Sequence, residues 1–194
     1  MKISPSIASA NPLRLEEEIK RLDHFDDIHI DIEDGNFIPN ITFGMKTIHA
    51  LRSVTNKPFS FHLMVTNPYQ YLDEIFRLRP SILFAHAESL PYVREFIGRV
   101  KGSNIKCGLA FNPATPVEPY LYLLKELDAV LIMTAEPDGR DQAFIEEMLG
   151  KVKTIHEKQP PLNIWVDGNI SHETLPDLEK IGVTTAVMGR AIFN

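Results

Sequence analysis

The chain has 194 residues, 44% hydrophobic and 24% charged, with 26 acidic against 20 basic side chains and a formal net charge of −6. That composition is globular and the length suits one domain with a sizeable core, while the charge argues against nucleic acid or an anionic membrane as the main partner. Cys107 is the only cysteine, so no internal disulfide can form and a cytoplasmic location is expected. The opening MKISPSIASANP has one Lys and no sustained apolar stretch, so no signal peptide is expected. No apolar run approaches the ~20 residues that a spanning helix needs.

In chain order, short β-branched apolar runs near 2–7, 28–32, 59–64, 81–86, 105–111, 129–134, 162–167 and 184–188 predict strands. Amphipathic stretches near 12–23, 44–55, 68–78, 91–101, 117–126, 141–157 and 172–181 predict helices between them. Asn11 before Pro12 reads as an N-cap followed by a Pro at the first helical position. Thr115-Pro116-Val117-Glu118 reads the same way, with a capping-box Glu. Eight strands alternating with helices imply a parallel sheet, and eight closes a (β/α)8 TIM barrel, one catalytic domain over 1–194. A doubly wound open sheet is the structural rival, but PSIASANP holds no G-x-G-x-x-G. The chain stops at Asn194, just after the eighth strand, so the final helix is expected to be missing. That would bare about four apolar residues, or roughly 6–12 kcal/mol of burial. A partner subunit in a homo-oligomer, or a continuation of the natural chain, is expected to cover them.

Four polar residues sit at the ends of apolar strands: His29 and Asp31 in IHIDIEDG, His62 in FSFHLMV and Asp167 in LNIWVDGN. Imidazoles and carboxylates are costly to bury unless something pairs with them, and a barrel gathers strand ends at one mouth. Residues two apart on a strand share a face, so His29, Asp31 and, if the strand persists, Glu33 point the same way. The set His29, Asp31, His62 and Asp167 suits one divalent metal ion, Zn, Fe or Mn. For any one of them alone a hydrogen-bonded strand-end residue is the plain alternative. Asp31 and Asp167 lie on strands two and seven, far apart around the ring, and can face opposite sides of a flat intermediate. One can remove a C–H proton from a ketose and the other return one, which is epimerisation through an enediolate. A metal hydrolase would use similar ligands without needing the two carboxylates to face each other.

Over essentially its whole length the chain resembles the ribulose-phosphate 3-epimerase family. SPSIASAN looks like that family's opening strand, HIDIEDGNFIPNITFG its most diagnostic segment, and FHLMV, CGLAFNPATPVE, VLIMTAEP and VDG its later strands. The resemblance implies a TIM barrel, a divalent metal and proton abstraction at C3 of a pentulose 5-phosphate, interconverting D-ribulose 5-phosphate and D-xylulose 5-phosphate. It makes Asp31 and Asp167 the acid–base pair and metal ligands with His29 and His62. Ser6, His62 and Met64 then contact substrate, with Phe37 a further candidate for the wall, and the partners expected are the sugar phosphate and further copies of the chain in a homo-oligomer.

The departures from that family cluster where phosphate would rest. The usual GFGGQ loop is Asp138-Gly139-Arg140-Asp141-Gln142, the second glycine of VDGG is Asn169, and the usual GS is Gly189-Arg190. Gly139, Arg140, Gly168, Asn169, Gly189 and Arg190 are the expected phosphate surround, with the two arginines replacing backbone donors. A pocket rebuilt for another ketose phosphate, such as a hexulose 6-phosphate, or a non-catalytic sugar-phosphate binder, is the alternative. Glu33 stands where the family usually has Met; it could bind the metal, take a substrate hydroxyl, raise a neighbour's pKa, or face solvent. His86-x-Glu88 reads either as support for a ligand or as a strand-end pair.

Overall fold

The computed structural model describes residues 1–138, 140, 142–159 and 161–193. Eight parallel strands, β1 (Lys2–Pro5), β2 (Ile28–Glu33), β3 (Phe59–Met64), β4 (Ile82–His86), β5 (Lys106–Phe111), β6 (Ala129–Met133), β7 (Asn163–Asp167) and β8 (Thr185–Met188), form one sheet. Its order, β1-β8-β7-β6-β5-β4-β3-β2, brings the first and last strands together, with Lys2 opposite Thr185 and Pro5 opposite Met188. Between β1 and β2 there is only an isolated bridge, Ser6 to His29. The eight strands thus form a nearly closed TIM barrel, with one thin seam.

The apolar runs become strands because both faces are covered. Outward residues such as Ile30, Phe61, Leu83, Leu109 and Val166 pack against helices. Inward residues Ile82, Phe84, Ala110, Leu131 and Val187 fill the barrel, with Trp165 against them. Gly108 is part of that filling: a Cβ there would lie 2.2 Å from the Phe84 ring, so its bare Cα leaves the space the ring occupies. Cys107 faces outward and is fully buried. Burial, then the nearby Asp128, pushes its thiol up to about 12. At pH 8 about one thiol in ten thousand is ionised, so Ellman's reagent is expected to leave the native protein unmodified and to react fully once urea unfolds it.

The helices are α1 (Leu15–Lys20), α2 (Met45–Val54), α3 (Leu72–Arg77), α4 (Val93–Gly102), α5 (Leu149–Lys158), α6 (Leu175–Lys180) and a four-residue α7 (Arg190–Phe193). The last helix is therefore short rather than missing. Asn11 caps as expected, accepting from the Leu13 N–H at 3.0 Å. Thr115 does not: the turn after it is a 3-10 helix, Glu118–Glu126, whose N-cap is Val117 with no side-chain bond. Thr115 instead gives its backbone N–H to Asn112 O at 3.1 Å. The helix predicted from 141 begins only at Glu146, because the Ile145 N–H donates to Thr134 O at the end of β6. Among the described residues no helix is long and apolar enough to cross a membrane.

Candidate active site

The strand pairing decides what meets at the carboxyl end of the barrel. In register, His29 is opposite Ser60, Asp31 opposite His62, and Met133 opposite Asp167. His29, Asp31, His62 and Asp167 each turn one ligand atom inward, and those atoms all lie within 4.8 Å of one another. Both imidazoles are fully buried and Asp31 is 4% exposed. The four strand-end residues predicted to converge do so.

Each is held from behind. His29 Nδ1 is 2.9 Å from Ser60 Oγ, which leaves Nε2 facing Asp31 Oδ1 at 3.3 Å. The Ser6 hydroxyl donates to Asp31 Oδ2 at 2.5 Å, across the seam between β1 and β2. His62 Nδ1 is 3.2 Å from both Asp31 Oδ1 and Asp167 Oδ2, and its Nε2 is 2.8 Å from His86 Nε2. His86 Nδ1 reaches Glu88 Oε2 at 3.3 Å, and Glu88 Oε1 accepts from the Asn112 N–H at 2.9 Å. His86 and Glu88 therefore support a cluster residue. Ser60 was not anticipated, although its place two residues before His62 on one strand puts both on the inner face. Phe37 packs on the His86 ring, 4.8 Å between centroids, so it braces this support and is not among the cavity's lining residues.

The electrostatics follow from that packing. Burial opposes the charge on Asp31, but His29 and His62 outweigh it and hold the carboxyl well below its usual range. Burial likewise opposes charge on His62, yet its bonds to Asp167 and Asp31 raise it to about 9. Burial lowers His86 to about 4, so it is neutral and can accept from His62. Glu88, burial notwithstanding, is lowered to about 2 by His86 and Thr115. Glu33 is raised to about 7 by burial and then by Asp31. Among the described residues three buried side-chain atoms have no hydrogen-bond partner; one is Asn112 Oδ1, and the other two, His29 Nε2 and Asp31 Oδ1, face each other in the cluster. Buried polar atoms are ordinarily paired, so these two stand where ligand atoms of a metal would. The donor set, two imidazole nitrogens and two carboxylates, fits a first-row divalent cation.

Over the cluster opens a cavity of about 300 Å³, whose lining includes Ser6, Met64, Arg140, Gly168, Asn169, Gly189 and Arg190. Gly139 lies outside the described residues. Gly168 sits at φ 126°, and a Cβ there would stand 2.4 Å from the Ala135 backbone N, so the turn after β7 needs glycine. Asn169 keeps a left-handed φ of 50°, a conformation Asn tolerates better than most residues. Arg190 donates to Asn169 Oδ1 at 3.1 Å. Asp138 is turned back toward its own loop. It accepts from the Arg140 N–H at 2.9 Å and from Gln142 Nε2 at 2.6 Å, and it does not line the cavity.

A parallel eight-stranded barrel with paired acids and imidazoles at its carboxyl mouth is a barrel enzyme with a metal-competent acid–base centre. The family model described as "Ribulose-phosphate 3 epimerase family" matches residues 2–193. Ribulose-phosphate 3-epimerase of Bacillus subtilis is 36% identical over 200 residues, covering 100% of this chain and 92% of that one. The protein of the same name in Schizosaccharomyces pombe is 35% identical, covering 100% of this chain and 87% of that one. A solved structure, 3-hexulose-6-phosphate synthase from Salmonella typhimurium, matches with a TM-score of 0.74 at 16% identity, over 98% of this chain and 90% of that one, a likeness of fold alone. The chain belongs to the ribulose-phosphate 3-epimerase family and is an isomerase of the racemase and epimerase class.

Proposed function

We propose that this protein is a metal-dependent epimerase that interconverts D-ribulose 5-phosphate and D-xylulose 5-phosphate at C3. One observation carries the reading: Asp31 and Asp167, from strands three apart around the ring, converge on His62 Nδ1 at 3.2 Å each. Two carboxylates on either side of one point are what a two-base inversion requires. His29, Asp31, His62 and Asp167 would hold a divalent cation, Zn, Fe or Mn, through atoms that include the unpartnered His29 Nε2 and Asp31 Oδ1. When bound, such an ion supplies Lewis-acid polarisation of the C2 carbonyl and offsets the charge of the enediolate.

The chain's own residues do the rest. One of Asp31 and Asp167 takes the C3 proton, and the other delivers a proton to the opposite face. Ser6, donating to Asp31 Oδ2, fixes which carboxylate oxygen is available. Arg140 and Arg190, with the backbone N–H groups around Gly168, Asn169 and Gly189, receive the 5-phosphate at the side of the cavity served by β6 to β8. Gly139 would belong to the same surround. Met64 walls the sugar, while His62, fully buried and not among the cavity's lining residues, serves from beneath through the cluster rather than as the substrate contact expected of it.

His86 and Glu88 set the tautomer of His62: neutral His86 accepts at Nε2, so His62 keeps its proton on Nε2 and, once the Nδ1 proton has left, presents a lone pair there. Glu88→Gln is expected to weaken metal binding about 10- to 100-fold, measured by competition with a chelator, while leaving circular dichroism unchanged.

The test of substrate is proton NMR in D2O of metal-loaded protein with D-ribulose 5-phosphate and, separately, with D-fructose 6-phosphate as a hexulose 6-phosphate. Deuterium entry at C3 with growth of xylulose 5-phosphate supports the proposal. Faster exchange on the hexulose phosphate moves it to a six-carbon substrate, and no exchange on either moves it to a binding role. A cytoplasmic location accompanies this reading, as for the cytoplasmic isoform of Oryza sativa subsp. japonica, as does a homo-oligomer, which sedimentation at several concentrations tests.

A further inference from the structure

Glu33 is the last residue of β2, two beyond Asp31, and its side chain lines the same cavity. It is anchored at both ends. Its N–H donates to Thr42 Oγ1 at 3.1 Å, and Thr42 Oγ1 donates to Asp31 O at 2.6 Å. Its Oε2 accepts from Asn40 Nδ2 at 2.6 Å. The loop carrying Asn40 and Thr42 is itself pinned by Asp34. That carboxylate accepts from the Asn36 and Phe37 N–H groups at 2.9 and 2.8 Å and from the Thr66 N–H at 2.8 Å. Glu33 is therefore a fixed acceptor in the cavity wall, and it does not join the four-atom ligand cluster.

Its place around the ring gives it a partner. β6, whose exit segment carries Arg140, is four strands from β2 and so diametrically opposite. A substrate with its phosphate on the Arg140 side extends its other end toward β2, where a carboxylate repels anions and accepts from hydroxyl groups. In a ketose 5-phosphate the group at that end is the C1 hydroxyl.

We propose that Glu33, held by Asn40, accepts a hydrogen bond from the C1 hydroxyl of the ketose phosphate and makes that hydroxyl a requirement for efficient turnover. The inference rests on the substrate class proposed above. It also gives the sugar a direction, since a reversed substrate would place its phosphate against Glu33.

The test compares D-xylulose 5-phosphate with 1-deoxy-D-xylulose 5-phosphate, which differs only by lacking that hydroxyl, on metal-loaded wild type, Glu33→Gln and Glu33→Met. The readouts are kcat and KM for C3 deuterium exchange, and bound metal by elemental analysis. Wild type is expected to prefer the hydroxylated compound about 10- to 100-fold in kcat/KM. In Glu33→Met the preference collapses toward one. Glu33→Gln, whose amide oxygen still accepts, keeps an intermediate preference, and metal content is the same in all three. A preference unchanged in Glu33→Met overturns the proposal, as does metal loss in either variant, which would make Glu33 a ligand. If wild type exchanges the 1-deoxy compound as fast as xylulose 5-phosphate, the hydroxyl is not read and the proposal fails alone. If wild type exchanges neither, the substrate class falls and takes this inference with it.

Discussion

Asp167→Asn is expected to lower epimerisation at least about 10³-fold, or about 4 kcal/mol of barrier, while sparing half of the proton chemistry. With Asn at 167 the carboxylate of Asp31 remains, so the epimer whose C3 proton faces Asp31 still loses it and regains it on the same face. In D2O that epimer takes up deuterium without inversion, and the other exchanges far more slowly. Asp31→Asn gives the mirror result, with an added cost. Asp31 sits deep between His29 and His62, so removing its charge also unpairs two imidazoles, whereas Asp167 is at the rim with 17% of its side chain accessible. Asp31→Asn is therefore expected to lose metal as well as activity, and Asp167→Asn to keep more of it. NMR of each pure epimer with each variant, alongside metal analysis, decides the matter. Loss of exchange from both epimers in a metal-replete Asp167→Asn protein would rule out two separate bases.

Removing the metal is the second large effect. Chelation is expected to cut turnover at least about 10²-fold, since the Lewis acid contributes several kcal/mol. The pH dependence of rebinding has a definite sign. In the metal-free protein His62 holds a proton up to about pH 9, because Asp167 and Asp31 flank its Nδ1. A cation can enter only as that proton leaves, so apparent affinity falls as pH falls below about 9, close to tenfold per unit, and levels off above it. Calorimetry with Mn²⁺ between pH 6 and 9.5, in buffers of different ionisation heat, should show one proton released at neutral pH. At a free metal concentration of 100 Kd the ligand-bound fold gains about 2.7 kcal/mol, so the melting temperature should rise by about 5–10 °C. An affinity that is flat with pH would mean that His62 is already neutral.

Much of this centre was legible in the strands. A barrel strand is buried on both faces, so a His or Asp inside IHIDI or FHLMV has to be matched by other polar groups, and that constraint identified all four cluster residues. Strand positions followed for the same reason: continuous apolar runs mark them within a residue or two, as at β3 and β8. What the pattern could not give was side-chain traffic between distant loops. Thr115 has the sequence context of a helix cap, yet the cap position falls on Val117, and Glu88 at the β4 exit reaches across to the Asn112 N–H. Asp138 has the charge to spoil an anion site, yet the loop around it consumes that charge. Asn40 lies in a turn with no periodic signal, and only the folding back of 34–42 puts it on Glu33. Local sequence fixes an element, whereas contacts such as these depend on where the far end of the barrel arrives.

The thin seam has a consequence for how the protein is born. β1 leaves the ribosome first, but its only full ladder is to β8, the last strand made, and its neighbour β2 offers just one bridge. The nascent chain can build β2 to β7 in sequence, each on its predecessor, while β1 waits with its backbone unpaired. Ser6 meets Asp31 across that same gap, so the hydrogen bond that aims the buried aspartate forms when the ring closes. Maturation of the catalytic centre and completion of the barrel are then one event, and a nascent chain short of its eighth strand carries the right residues without a working centre.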